Sequence, residues 1–331
     1  MKTDDSFVRP VRIGSLDLRN NIFLAPLAGV TDLPFRLLCK EQGAGFAYSE
    51  MISAKGVHYK SANSFELAMT VPEEQPVGVQ IFGSEPEVMA EAAMFFVSRG
   101  APLIDINMGC PMRKITGNGE GSALMRSPDL IERIVAAVAE VLAPMGVPVT
   151  VKMRRGFDSG SETCVECAMA AERGGAAAIT VHGRFRDEYY SGRSDWTAVR
   201  RVKEAVRVPV LLSGDVIDRD SFEAAMSISG ADGVLVGRAA MGDPWIFRQL
   251  LKGGGGPTLS ERYVTMKKHL SLLNELKGGQ TAATEFRKHV IWYLKGLRGS
   301  ASVRDRVCKS DSVNEILGII DEYFTSSLCR S

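Results

Sequence analysis

The chain has 331 residues, of which 45% are hydrophobic and 24% charged, a balance that excludes a disordered chain. A net charge of +1 excludes nucleic-acid binding through overall charge, so any such contact must come from a local basic patch. Six scattered cysteines make no disulfide framework. No apolar run is long enough to span a bilayer, and MKTDDSFVRPVRIG lacks a signal-peptide apolar core; a cytoplasmic protein with no membrane contact is expected.

Taken in order, the short apolar runs are NIFLAPL, GFAYSE, VGVQIF, LIDIN, PVTVKM, AAITVHG, VPVLLSG and DGVLVG. Each has strand length and the apolar character of a strand buried on both faces. Helical patterns lie between most of them. Asp32 is placed to cap LPFRLLCKEQG. Ser84, with Pro86 in the first turn and Glu87 three residues on, predicts a capping box before a helix that ends near Gly100. Ser127 and Pro128 open DLIERIVAAVAEVL in the same way. SETCVECAMAAERGG reads as a helix closed by Gly174 and Gly175; its Cys164 and Cys167 share one helix face, and packing is their expected role. Packing or surface roles are likewise expected for Cys39, Cys308 and Cys329.

Eight strands alternating with helices predict an α/β fold of the (β/α)₈ TIM-barrel type. A doubly wound sheet would normally place a glycine-rich dinucleotide turn after its first strand, and APLAGVTD is no GxGxxG. The barrel is expected over residues 1–252 and a Gly-rich linker over 253–257 (GGGGP), with a small all-helical domain over 258–331. Between Thr258 and Ser310 eleven Lys and Arg face four Asp and Glu, so this tail carries the local positive excess.

Polar residues gather at the ends of several strands, as they do at the functional face of a barrel. Gln80 ends the third strand, Lys152 and Arg154 lie on the fifth, and His182 and Arg184 end the sixth. The seventh runs into Ser213, Gly214 and Asp215, and the eighth into Gly237 and Arg238. Loops after strands seven and eight often hold a phosphate, which Gly214, Gly237 and Arg238 would suit. An unpaired Lys152 in a barrel mouth calls for an anionic partner, and a reduced flavin is one. The sequence shows no metal-ligand cluster. In IDINMGCP, Cys110 follows a strand end and a glycine, where a packed cysteine and a reactive thiol are both open readings.

Several stretches together resemble the tRNA-dihydrouridine synthase family: APLAGVTDLPFR, VGVQIFGSEPE, DINMGCPMRKITGNGEGSALM, VKMRRGF, TVHGR, SGD, GVLVGRAAMGDPWIF and EFRKHVIWYLKGL. They span about residues 10 to 300 in the family's order, and the last is most similar to the bacterial B-type branch. The resemblance implies an FMN-dependent enzyme, re-reduced by NADPH, that converts a specific tRNA uridine to 5,6-dihydrouridine. It implies that Pro26, Leu27 and Ala28 line the flavin and that Gln80 and Lys152 bond its ring, with His182 close by. Ser213, Gly214, Asp215, Gly237 and Arg238 would form its phosphate and ribityl end. Asn107, Arg154 and Tyr190 would face the uracil, and Cys110 falls where the family has its catalytic cysteine. A thiol of ordinary pKa about 8.5 is still protonated near neutral pH, so it can give C5 a proton while a hydride reaches C6. Arg287 and Lys288, with His289 and Lys295, are the candidate tRNA contacts, while Phe286, Val290, Tyr293, Leu294 and Leu297 would pack inward. Leu27, Ser213, Phe185 and Glu188 depart from the family's usual Met, Asn, Thr and Gln. The alternative is a flavin barrel reductase acting on a free pyrimidine. Nothing points to an obligate protein partner.

Overall fold

The computed structural model describes residues 7–328. Cys329 and the outermost residues of the two expected domains lie outside the described residues. Among the described residues there are eleven strands: β1 (Val11–Ile13), β2 (Leu16–Leu18), β3 (Ile22–Leu24), β4 (Phe46–Tyr48), β5 (Ile52–Ser53), β6 (Val77–Phe82), β7 (Ile104–Met108), β8 (Val149–Gly156), β9 (Ala178–Phe185), β10 (Val210–Ser213) and β11 (Gly233–Val236). All neighbours among β3, β4 and β6 to β11 pair in parallel, and β4–β6 and β11–β3 pairings close them into an eight-stranded barrel. β1 and β2 form an antiparallel hairpin, and β5 is a two-residue extension beside β6.

Three apolar cores among the described residues follow from this closure. Phe23, Phe46, Leu211 and Leu235 fill the lower barrel interior, and Ile13 and Leu18 of the β1–β2 hairpin seal it from below. A second, larger core lies between the strands and the surrounding helices. The third belongs to the C-terminal helices Leu259–Lys277, Gly279–Tyr293, Ser300–Lys309 and Val313–Leu328, which bury Phe286, Val290, Tyr293 and Leu294 against Phe324 and Ile320, with Leu297 packed at the edge. Trp245, just after β11, belongs to this third core and ties it to the barrel. Where the two meet, Gly242 comes so close that a Cβ there would overlap the Trp292 backbone.

Helix ends show where local sequence decided the structure. Asp32 caps Leu33–Glu41, its Oδ1 accepting the Phe35 N–H at 3.0 Å. The capping box at Ser84 does not form. Pro86 takes the first helical position, which makes Glu85 the cap residue, and Glu85 instead pairs with Lys55 at 2.7 Å. Ser127 is the residue before Pro128–Leu142, but its side chain makes no cap bond. Cys164 and Cys167 are fully buried in Cys164–Arg173, where burial pushes both thiols up to about 12. Cys39 is buried and Cys308 exposed.

Candidate active site

Side chains alternate across a strand, so β7, β8 and β9 each present every second residue to the barrel interior. Register aligns them in tiers: Gln80, Asp105 and Thr150 lowest, then Asn107, Lys152 and Thr180, then Arg154, His182 and Ser213 at the mouth. The apolar plug thus gives way to a polar column that rises to the C-terminal ends of the strands.

The lowest tier is a closed hydrogen-bond network. Asp105 accepts from Gln80 Nε2 and from Thr150 Oγ1, both at 2.6 Å, and burial raises its carboxyl to about 6. Gln80 Oε1 accepts from Asn107 Nδ2 at 2.9 Å. Asn107 Oδ1 accepts the backbone N–H groups of Gly109 (3.2 Å) and Cys110 (3.0 Å). The Cys110 turn is therefore fastened to the barrel floor through Asn107 and Gln80. From the other side, Arg154 Nε donates to the Gly109 carbonyl at 2.9 Å, while its remaining nitrogens hold the Phe185 and Tyr189 carbonyls. Ser122 closes the turn from behind, giving its N–H and its hydroxyl to the Cys110 carbonyl. Burial raises the Cys110 thiol above its ordinary value; the Met112 N–H and the charges of Arg154 and Lys152 only partly offset this. It is held as a thiol.

The Lys152 ammonium makes no hydrogen bond or ion pair to any described residue. Burial, with the Arg154 guanidinium beside it, lowers its pKa to about 8. His182 is buried with its Nδ1 unpartnered, and burial plus the charges of Lys152, Arg154, Arg184 and Arg238 keep the ring neutral. Asp215 adopts a positive φ of 60° and gathers Arg184 (2.8 Å), Arg238 (3.0 Å) and the Ser194 N–H (2.7 Å). Gly214 has a φ of 111°, and a Cβ there would lie 2.6 Å from Ser194 Oγ, so only glycine fits. Gly237 precedes Arg238, whose guanidinium lies 4.8 Å from the ring centre of the exposed Tyr190.

Pro26, Leu27 and Ala28 form the loop after β3, partly exposed at the mouth. The loop is braced: Leu27 N–H donates to Thr31 Oγ1 at 3.0 Å, Gly29 N–H to Glu50, and buried Arg36, paired with Glu74 at 2.8 Å, holds the Thr31 carbonyl. Of the substituted positions, Glu188 accepts the Phe185 N–H at 2.6 Å, so it fastens the loop that carries Tyr190.

Sequence reasoning missed Asp105. Its signal was an acid inside the apolar run LIDIN, where an unpaired charge is costly. A separate hollow of about 360 Å³ under Phe65, Met69 and Arg99 lies on the outer wall and has no such polar cluster.

The C-terminal candidates separate. Arg287 is half-buried and bonds the Ser310 carbonyl at 2.9 Å and the Asp311 carboxylate. His289, expected to contact tRNA, is fully buried, because its helix turns that side onto the barrel. Lys288, Lys295, Arg298 and Arg304 have no ion pair among the described residues. Burial raises the carboxyls of Asp32, to about 6, and of Glu50, and the charge of nearby Lys288 only partly offsets this.

The profile of the family described as dihydrouridine synthase (Dus) matches residues 23–327. The chain belongs to the dihydrouridine synthase family. Its members are enzymes, and this chain is 39% identical over 320 residues to "tRNA-dihydrouridine synthase B" of Vibrio cholerae, covering 95% of this chain and 98% of that one. A "probable tRNA-dihydrouridine synthase" of Rickettsia conorii is 38% identical over 323 residues, covering 96% and 97%. Among solved structures, the old yellow enzyme homologue of Zymomonas mobilis shares the barrel, with a TM-score of 0.56 at 14% identity over 76% of this chain and 94% of that one. No described helix is long and apolar enough to cross a membrane.

Proposed function

We propose that the protein reduces the C5=C6 bond of a specific uridine in tRNA to 5,6-dihydrouridine, with FMN as its cofactor and NADPH as reductant. Family membership and the names of its relatives support the reaction and the substrate. Support for a flavin comes from the mouth itself. The Lys152 ammonium and the buried His182 Nδ1 lack partners, and four cations surround one neutral ring. Such a cluster favours an anionic ligand, and Gly214 leaves the backbone bare beside it.

Bound there, FMN supplies the hydride that reaches C6. Lys152 would face its ring, with Gln80 below; Ser213, Gly214, Gly237 and Arg238 would hold the phosphate and ribityl end, and Pro26, Leu27 and Ala28 would line it. Asp215 repels a phosphate, so its part is to aim Arg238. Cys110 Sγ gives its proton to C5. Asn107 and Arg154 fix that thiol by holding the backbone on both sides of it, and Tyr190 offers an aromatic face to a uracil taken out of its stack. Lys288, Lys295, Arg298 and Arg304 are the tRNA grip, in place of the ion-paired Arg287 and the buried His289.

The observation that carries this reading is the braced, protonated Cys110 thiol beside partnerless Lys152. The test mixes the anaerobically reduced protein with unmodified tRNA and, separately, with free uracil. Dihydrouridine at a defined tRNA position, with no turnover of uracil, is the expected result. Reduction of free uracil with tRNA untouched would move the protein to the small-molecule reductases.

A further inference from the structure

Two of the four histidines in the chain lie where the C-terminal helices meet the barrel, away from the mouth chemistry. His269 comes from helix Leu259–Lys277 and His289 from helix Gly279–Tyr293, and both are fully buried. Asp32, at the start of the first barrel helix, faces them. Its Oδ1 is used in capping that helix, but its buried Oδ2 has no partner. The Nδ1 of His269 meets the Tyr293 hydroxyl at 3.1 Å, which leaves Nε2 without a partner. Neither ring nitrogen of His289 has one. A donor atom from each of the three residues lies within 4.8 Å of the others.

Buried polar atoms are nearly always paired, so several orphans meeting at one point share a single missing partner. When His269 Nδ1 donates to Tyr293, its Nε2 presents a lone pair; His289 presents another, and Asp32 Oδ2 is an acceptor. Three acceptors converging on one point are satisfied together by a cation. We propose that Asp32, His269 and His289 bind one divalent transition-metal ion of the zinc type, which fastens the C-terminal helices to the barrel. Two imidazoles and one carboxylate suit zinc, whereas magnesium and calcium prefer oxygen donors throughout.

Tetrahedral donors about 2.0–2.2 Å from zinc are roughly 3.3–3.6 Å apart, so donor atoms now within 4.8 Å of one another close in by up to about 1.5 Å. Water completes the set. Tyr293 orients His269 from behind, as outer partners of metal-bound histidines commonly do. Phe35 lies against both imidazoles, at 5.8 and 5.7 Å between ring centres, and Trp292 flanks His289 at 5.2 Å, so the chamber wall is apolar. Lys277 nearby is already paired with Glu285, which leaves Lys288 as the opposing charge. Asp32 also ends the braced loop of Pro26 to Thr31, so the ion would stiffen one rim of the mouth without touching reacting atoms.

The test uses the full flavin-loaded chain, prepared without a histidine tag. Metal content is measured by mass spectrometry after desalting, and Tm is followed through removal with 1,10-phenanthroline and return of Zn²⁺. About one zinc per chain, a Tm that falls on chelation and recovers with Zn²⁺, and unchanged flavin absorbance are expected. Asp32→Asn keeps the capping oxygen and should weaken Zn²⁺ binding at least about tenfold; His289→Gln serves as the second variant. A wild-type protein with no bound metal whose Tm ignores Zn²⁺, Co²⁺ and chelator overturns the proposal. So does a folded Asp32→Asn or His289→Gln variant that binds Zn²⁺ as wild type does.

Discussion

Cys110 is positioned by neighbours that hold the backbone of its turn. Asn107 holds its N–H, Arg154 holds the carbonyl before it, and burial keeps the thiol protonated. Cys110→Ala should therefore still take up FMN and be reduced by NADPH, but oxidation of the reduced enzyme by tRNA should slow by about 10²–10⁴-fold. Stopped-flow half-reactions separate the two; wild-type oxidation rates in the alanine variant would end the general-acid role. The pH dependence has a definite sign. The acid form is the active one and its pKa is raised, so the tRNA half-reaction should stay level through neutral pH and fall only above the ordinary thiol range of about 8.5. Lys152 behaves oppositely, with its ammonium lowered to about 8. FMN binding to the apoprotein should weaken as pH rises through that value, and Lys152→Met should abolish this step in a fluorescence titration.

Two loops place these groups, and each depends on a glycine that admits no substitute. Gly121 has a φ of 60°, and a Cβ there would come within 3.0 Å of the Cys110 carbonyl and 3.2 Å of its Cβ. Gly121→Ala should shift the Cys110 turn, slow the tRNA half-reaction and spare flavin reduction. Gly214→Ala should do the reverse and lose flavin, because the clash with Ser194 falls between β10 and Asp215. The flavin content of the two purified variants distinguishes these outcomes. The helix Cys164–Arg173 makes a contrast. Its two thiols are pushed up to about 12 and face the core, so alanine at both positions should lower Tm and leave both half-reactions unchanged.

Across the molecule, the positive excess of the C-terminal helices is unevenly available. Among the described residues, six of the basic side chains are tied up in ion pairs, including Arg287 with Asp311 and Lys268 with Glu41. Lys288, Lys295 and Arg298 are not. Reversing these three to Glu should weaken tRNA binding and flatten its salt dependence by roughly 0.7–0.9 per lost phosphate contact, with NADPH oxidation unaffected. Unchanged affinity and slope in a folded triple variant would show that this face is merely solvated. Arg287→Glu is the poorer probe, since it breaks the joint between two helices.

The barrel could be read from the chain because each strand is an apolar run and helical patterns lie between most of them, and such signals are local. Gly214 directly follows β10, and Gly237 and Arg238 follow β11, as expected of strand ends, whereas Lys152 and His182 lie inside β8 and β9, His182 short of the end expected for it. Pro86 shows where a local rule lost: its ring set the helix start one residue beyond the one Ser84 would have capped. What no local pattern carries is pairing between distant segments. That Asn107 bonds Gln80 and the Cys110 turn could not be read from the run LIDIN. His289 sits in a basic stretch but is buried, because the face a helix turns inward is chosen by what packs against it. Asp32 and His269 stand over two hundred residues apart in the numbering, and only closure of the C-terminal helices onto the barrel brings them within reach. Composition and periodicity determined the elements and their order; which polar groups meet, and which are left without partners, was decided by tertiary contact alone.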